Sequence, residues 1–558
     1  MLLKPIFEKA PLKRAVRLPL RPGQLLLEDE LGRSLTALAG ETPEQPILWE
    51  GLLRTAALLN ARPEKLPVAD LIRDALSRQA EDGSLPCSLT DSLAVMRAAW
   101  ALYEITCTRS LLESMLRWCG YVSASWEEVL RCDAIRRSPA DLLELTEQLY
   151  RVTGKKALLS MMDRIRRDCM SWSGVLHTFS VQQPFPKVTP LQELRRGLAE
   201  EGSEEGFYTR QALTCHGLSL ADGARASALT AAYSGNGPEL SAARIGWEKL
   251  SRYHASPAGA ICCDELVMGN APDVPADTAA LGAWLEALCA AMEQDDEARL
   301  WNALALMSEN ALPRALQNGR VALSQTANCL KEKNAEASFR LDETADRRTP
   351  ALARLLRGYA ALRSHALTLT PEGISVNLPV SGKAVCVLDG KAVTLVSTAD
   401  SCGMTVTVHT KEPANFRMKL RMPDSVTDGR MKVSRGGSAQ VVAGESRDAT
   451  RAWQDGDTVT MSWKPQLRTV QGFHQGVCVY LGSSLMTLPA GETWAVAACG
   501  EPELNEQGQV LLPVVPVEWK NAKGLPVLPA GKGEERRVAL EPYADTVGIS
   551  LFPRLGSR

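Results

Sequence analysis

The chain changes periodicity near residue 365, and that change constrains its fold more than any single motif. Before it, apolar residues recur at three- and four-residue steps, as in LLEDELGRSLTALAG, PVADLIRDALSRQAEDG, SLLESMLRWCGYV, DLLELTEQLYRVTG and TAALGAWLEALCAAMEQ. Gly40, Gly83 and Gly154 close such segments, as left-handed C-caps would. Helices in succession, with short connections and no strands between them, pack on one another as a bundle or a toroid of hairpins. After residue 365 the text alternates. GISVNLPV, KAVCVLDG, AVTLVST, MTVTVHT, FRMKLRMP, TVTMSW and VCVYLG are short β-rich segments split by Gly, Asp, Asn and Pro. Such a series predicts a sandwich.

At 558 residues the chain is too long for one ordinary core, so a multidomain α + β architecture is expected. The expected divisions are an N-terminal segment 1–20, a helical domain 21–364, a β-sandwich 365–500 and a C-terminal β segment 501–558. A net charge of −2 gives no electrostatic footprint for a nucleic-acid partner. MLLKPIFEKAPLKRAVRLPL has no continuous apolar core, and no apolar run elsewhere is long enough for a bilayer, so neither a signal peptide nor a membrane partner is expected. Fourteen cysteines without framework spacing read as reduced thiols in a cytoplasmic protein. A homodimer is left open.

The segment Arg252 to Pro313 carries the chemistry. In it Asp264 and Glu265 form a carboxylate pair in a Gly/Pro-punctuated loop that runs into two helices. Acid groups on a loop at the mouth of a helical scaffold are how an enzyme presents a proton donor, although a solvated pair or a salt bridge would read the same way. Asp277 opens the apolar helix beginning Thr278, where it suits either an N-cap or a base. Cys262 and Cys263 read as buried apolar residues or as a reactive pair. Adjacent cysteines point roughly opposite ways and seldom chelate one ion. His177, His216 and His254 lack H-x-H or H-x-x-x-H spacing, which leaves structural or hydroxyl-binding roles; Tyr208 is a candidate pocket wall.

ICCDELVMGN, followed by ADTAALG and then NALP, resembles the catalytic segment of glycoside hydrolase family 127, the β-L-arabinofuranosidase-like enzymes. LPLRPGQLLLEDELGRS, MSWSGVLHTF, TCHGLSLADGARASALTAAYSGN, FRMKLRMP, RAWQDGDTVTMSW and HQGVCVYLG are similar to further family segments in the same order, so the resemblance covers nearly the whole chain. It implies an (α/α)6 toroid followed by β-sandwich modules, and a small-molecule or oligosaccharide substrate. It places Glu265 as the general acid and His177, His216 and His254 in segments that resemble sugar-contacting loops; Tyr208 and Asp264 are further substrate-binding candidates.

The family mechanism, as the resemblance implies it, uses a zinc-held cysteine thiolate as nucleophile. The matching positions here are Asp277 for a glutamate ligand and Ala279 for a cysteine ligand. DETADRRTP stands where a Cys-Cys pair is expected, with no cysteine between Cys329 and Cys386. Zinc is therefore not expected as a cofactor, because its usual donors are mostly absent. Two functions remain open. One is a glycosidase on a small furanoside-type glycan, using Glu265 with Asp277 or the Asp342-Glu343-Asp346 cluster. The other is a non-catalytic, glycan-binding scaffold.

Overall fold

Burial pattern separates the helices into two sets. Thr278–Met292 is apolar almost all round, and its side chains from Ala280 to Cys289 are buried on every face. Lys156–Asp168 buries only Leu158, Met161, Met162 and Ile165, a single stripe. A helix of the first kind must be surrounded and one of the second must face water on its other side. The computed structural model, which describes residues 10–14, 16–40, 44–59, 62–182, 214–317, 319–328, 345–435, 438–441, 447–490, 496–520, 525–527 and 534–554, arranges them accordingly.

Among the described residues an inner ring runs Pro46–Leu58, Leu89–Thr106, Ala140–Thr153, Gly217–Ser234, Thr278–Met292 and Ala345–Ser364, each helix against the next and the last against the first. Glu30–Gly40, Pro67–Ser77, Arg109–Ala124, Lys156–Asp168, Gly237–His254 and Ala298–Glu309 pack around it. This alternation of outer and inner helices is the (α/α)6 toroid. The Thr278–Met292 and Ala345–Ser364 helices touch backbone to backbone. A Cβ on Gly282 would stand 2.2 Å from the Arg354 carbonyl oxygen, and one on Gly358 would stand 2.4 Å from that of Gly282.

Ion pairs rather than apolar side chains gather inside the ring, where Glu50, Arg97, Glu144, Glu286 and Arg357 line a cavity of about 230 Å³. Arg97 donates to both Glu50 oxygens at 2.7 and 2.9 Å and to Glu144 at 2.8 Å. Arg357 joins Asp141 to Glu286, and Arg225 adds a further bond to Glu286 at 2.8 Å. Burial alone would raise the Glu50 carboxyl, but Arg97, Arg357 and Arg54 outweigh it and hold it at about 2.

Two β-modules follow. A five-stranded sheet (order Leu18–Pro19, Leu367–Thr370, Gly373–Val376, Ala414–Leu420, Asp448–Trp453) and a seven-stranded sheet spanning Gly382–Leu388 to Thr458–Pro465 form the sandwich. Alternation does the sorting: along Lys391–Asp400, Val393, Leu395 and Ser397 turn inward and their neighbours outward. A nine-stranded third sheet begins at Leu467–Gln471 and has its own core of Val479, Leu488, Leu512, Val514 and Phe552. Asn310 fastens it to the toroid, donating to the Ser483 carbonyl and accepting from Leu485 N–H, both at 2.8 Å.

The structure departs from the sequence reading at several points. Leu25–Leu27, read as the start of a helix, is an edge strand paired with Gly382–Ala384; the helix begins at Glu30. Leu18–Pro19 likewise joins the sandwich, so the N-terminal segment is not separate from it. Sheet membership changes between Pro465 and Leu467 rather than near residue 500, because the strands from 477 to 498 pair within the last sheet. Gly154 is a left-handed cap at φ 67°. Gly83 lies in a turn beyond its helix, and Gly40 is still helical.

Candidate active site

Two adjacent inner helices, Gly217–Ser234 and Thr278–Met292, begin at the same end of the toroid, and both first turns are capped by residues singled out above. His216 is the N-cap of the first: Ser219 N–H donates to its Nδ1 at 3.2 Å. That bond makes Nδ1 an acceptor and leaves the proton of the neutral ring on Nε2. Burial pushes the His216 imidazole down, against the opposing pull of Glu265 and Asp222. Asp277 caps the second helix, with Ala280 N–H donating to its Oδ1 at 2.7 Å.

Between these starts lies a tight hairpin, Cys263–Asp264 paired with Leu266–Val267, with Glu265 at its tip. Glu265 is exposed and holds φ 71°, a left-handed conformation that costs a non-glycine residue energy. The hairpin is stapled to the first helix: Gly217 N–H donates to the Glu265 carbonyl at 2.7 Å, and Val267 N–H to the Cys215 carbonyl at 3.0 Å. His216 and Leu266 form a β-bridge in the same place.

Asp277 is the group whose chemistry the surroundings alter most usefully. Burial, with the Asp264 and Glu265 charges adding to it, outweighs the capping bonds from Ala280 and Ala279 and raises its carboxyl to about 6. Beside it, Cys263 is buried, and burial followed by the Asp277 charge pushes its thiol well up. Cys262 is pushed up to about 12 by burial alone. Both are neutral thiols, so the reading as buried apolar cysteines fits and a ready thiolate pair does not.

His254 occupies a different position from the one expected of a sugar contact. It is fully buried, its Nδ1 accepts Gly269 N–H at 2.9 Å, and its Nε2–H donates to the Val181 carbonyl at 2.8 Å. With its carbonyl also accepting Cys262 N–H at 2.6 Å, it ties down both limbs of the loop that carries Glu265. No ring nitrogen is left for a hydroxyl. His177 stands exposed on the Trp172–Thr178 helix, its Nδ1 bonded to the Ser173 carbonyl and its own carbonyl held by Lys249 at 2.6 Å, against the outer helix layer. Tyr208, Asp342 and Glu343 lie outside the described residues, and so does the side chain of Asp346.

The sequence reading missed Asp222 and Arg354, which form a bidentate pair at 2.9 and 2.8 Å between the Gly217–Ser234 and Ala345–Ser364 helices. Asp222 is close enough to His216 to act on its titration. The signal was present: Asp222 and Arg225 are the charged residues of a helix otherwise built of small and apolar ones, and buried charges need partners.

The zinc set implied by the resemblance does not fit these residues. Ala279 offers no donor atom, the Asp277 carboxylate is engaged with backbone N–H groups, and both neighbouring thiols are held neutral. Among the described residues no three His, Cys, Asp or Glu side chains converge as a metal would require. What the arrangement does hold is three carboxyl groups and a neutral imidazole at two helix N-termini, a set able to give and take protons.

No family model matches the chain, and no curated protein matches it. Solved structures do. One described as a glycoside hydrolase superposes with a TM-score of 0.73 at 14% identity, covering 98% of each chain. A family 127 β-arabinofuranosidase gives 0.67 at 14% identity over 97% of this chain and 98% of that one. A family 127 β-L-arabinofuranosidase from Geobacillus stearothermophilus T6 gives 0.64 at 16% identity, covering 93% and 90%. The chain therefore has the family 127 fold, toroid and β-modules together. Among the described residues no helix is long and apolar enough to cross a membrane.

Proposed function

We propose that the chain is a glycoside hydrolase acting on a small furanoside-type glycan, with Glu265 as proton donor to the leaving oxygen and Asp277 as its carboxylate partner. The carrying observation is that Glu265, Asp264, Asp277 and His216 sit at the common N-terminal end of two inner helices, near enough for the Glu265 charge to act on both Asp277 and His216. A sugar seated there would strip water from Glu265 beside two other carboxyl groups, and desolvation favours the neutral, proton-donating form. Asp277, ionised above about pH 6, would take a proton from the attacking water. His216, with Nε2–H as donor, would hold a sugar hydroxyl. An inverting displacement of this kind needs carboxyls roughly 6.5–9.5 Å apart, with room for the water between them.

Binding without turnover is the second reading, and one observation favours it: the Asp277 carboxylate already caps its own helix. Hydrolysis of methyl L-arabinofuranosides, whose alkoxide leaving group needs the proton, by the wild type and Glu265→Gln separates the two. The hydrolase reading expects turnover that falls about 10²–10⁴-fold in the variant, with the fold intact and no effect of chelators. Equal rates in the two proteins would remove Glu265 from the role of acid. No turnover on a wide panel of aryl furanosides would leave binding.

A further inference from the structure

A cleft of about 690 Å³ opens where the toroid meets the C-terminal sheet. Its walls come from two outer helices, Gly237–His254 and Ala298–Glu309, and from the hairpin of Leu467–Gln471 and Val477–Leu481. Its size falls within the roughly 300–1,000 Å³ of small-molecule sites.

The lining specifies the chemistry of an occupant. Most ionic groups at the rim are already paired: Arg244 with Asp295 and Glu297 at 2.7 and 3.1 Å, Arg299 with Glu248 at 3.8 Å, while the Arg252 guanidinium lies over the Tyr253 ring. A charged ligand seated at these paired groups would have to break their pairs. A neutral one with many hydroxyls can add to them, because carboxylate and guanidinium groups keep spare hydrogen-bonding positions. Trp247, Phe473 and Tyr480 supply the apolar part of the wall, and exposed Val470 adds to it at the lip. Phe473 is presented by a turn whose next two residues, His474 and Gln475, hold φ 48° and 61°, so the turn is kept at a conformational cost. In the wall, Ser256 is 9% exposed and its hydroxyl has no hydrogen-bond partner among the described residues.

The cleft also has a covalent link to the candidate active site. Ala255, Ser256, Pro257, Gly259 and Asn270 line it, and they belong to the two limbs of the loop whose tip is Glu265. The Tyr480 hydroxyl fixes one limb by donating to the Pro257 carbonyl at 2.7 Å.

We infer that this cleft is an accessory binding site for a neutral oligosaccharide, which holds a distal stretch of glycan while one residue occupies the site at Glu265. The choice of a sugar among neutral polyhydroxylated ligands rests on the hydrolase reading above; the cleft and its charge pairing do not.

The test uses the full chain in a Glu265→Gln background, titrated calorimetrically with linear arabinofuranosyl di- to pentasaccharides. Phe473→Ala removes an aromatic wall, and Ser251→Trp fills the cleft from a residue whose hydroxyl bonds only its own helix, at the Glu248 carbonyl. Each is expected to weaken pentasaccharide binding about tenfold relative to disaccharide. With Glu265 restored, each should leave aryl arabinofuranoside turnover within about twofold of wild type. Unchanged length dependence in both variants overturns the inference, as does a wild type that binds none of the oligosaccharides. So does a dimer that both variants dissociate with no change in sugar affinity, since the cleft would then be a subunit interface. Length-dependent binding lost in the variants, in a wild type without any turnover, keeps the cleft and removes the hydrolase.

Discussion

The α-carbon of Gly217 rests against the thiol of Cys263: a Cβ added at 217 would stand 2.4 Å from Sγ and 2.9 Å from the cysteine Cβ. The first turn of the His216-capped helix and the hairpin of Glu265 are thus packed with no room for a methyl group. Gly217→Ala should push the hairpin outward and cost about 1–3 kcal/mol, as overpacking does. Thermal unfolding reads the cost. Cys263→Ala in the same chain should recover part of it, since it removes the nearer obstruction, the sulfur, and keeps the Cβ at 2.9 Å. No recovery would place the strain elsewhere.

Asp277 makes stability depend on pH. Its folded carboxyl, raised to about 6, binds a proton more tightly than in the unfolded chain, where the value is near 3.8. The contribution, on the order of 3 kcal/mol, is therefore full below about pH 4 and lost as pH rises through 6. Asp277→Asn keeps a capping side chain and removes the titration. Denaturant unfolding between pH 4 and 7 should show the wild-type slope reduced in the variant. Under the hydrolase reading, the acid limb of the rate profile near pH 6 should vanish with it.

His254 holds its loop from inside. His254→Ala leaves Gly269 N–H and the Val181 carbonyl without partners, at about 1–3 kcal/mol for each buried group. The expected result is a global loss of a few kcal/mol, with faster amide exchange at Gly269 and Cys262. A loss of glycan affinity with stability intact would instead make His254 a ligand contact.

Along the ring axis, Arg357 holds Asp141 at 2.6 Å and Glu286 at 2.9 Å. Arg357→Ala leaves Asp141 and Glu286 each one partner short, with Arg225 still bonded to both, and should destabilise by about 1–3 kcal/mol. The pH dependence has the opposite sign to that of Asp277. Glu50, depressed to about 2, contributes above its ordinary 4.5, and that part is lost as pH falls toward 2. Acid titration of unfolding should show a steep loss over that interval, diminished in Arg97→Met, where Glu50 loses its bidentate partner.

The helices and strands were legible because burial leaves a period. DLLELTEQLYRVTG and the text of Lys391–Asp400 could be assigned on their own, since 3.6- and 2-residue repeats record which face is covered. Leu25–Leu27 could not: three leucines fit a helix or an edge strand equally, and pairing with Gly382–Ala384 settles it. The site divides in the same way. Asp264, Glu265 and Asp277 lie within fourteen residues of one another, so local sequence could bring them together, and His216 was named beside them.

The order of elements, the helices-then-sandwich plan and the lack of cysteines between Cys329 and Cys386 can all be read along the chain. The use of each polar group came from the packing of distant segments. His216, His254 and Asp277 look alike as isolated polar residues, yet one caps a helix at the site, one is spent on two backbone partners, and one caps a helix while titrating near 6. The buried network of Arg97, Arg225 and Arg357 follows the same logic, with Arg357 reaching Asp141 and Glu50 on helices far away in sequence. Hydrogen-bond partners and burial belong to the folded arrangement, and a residue's chemistry is set by them.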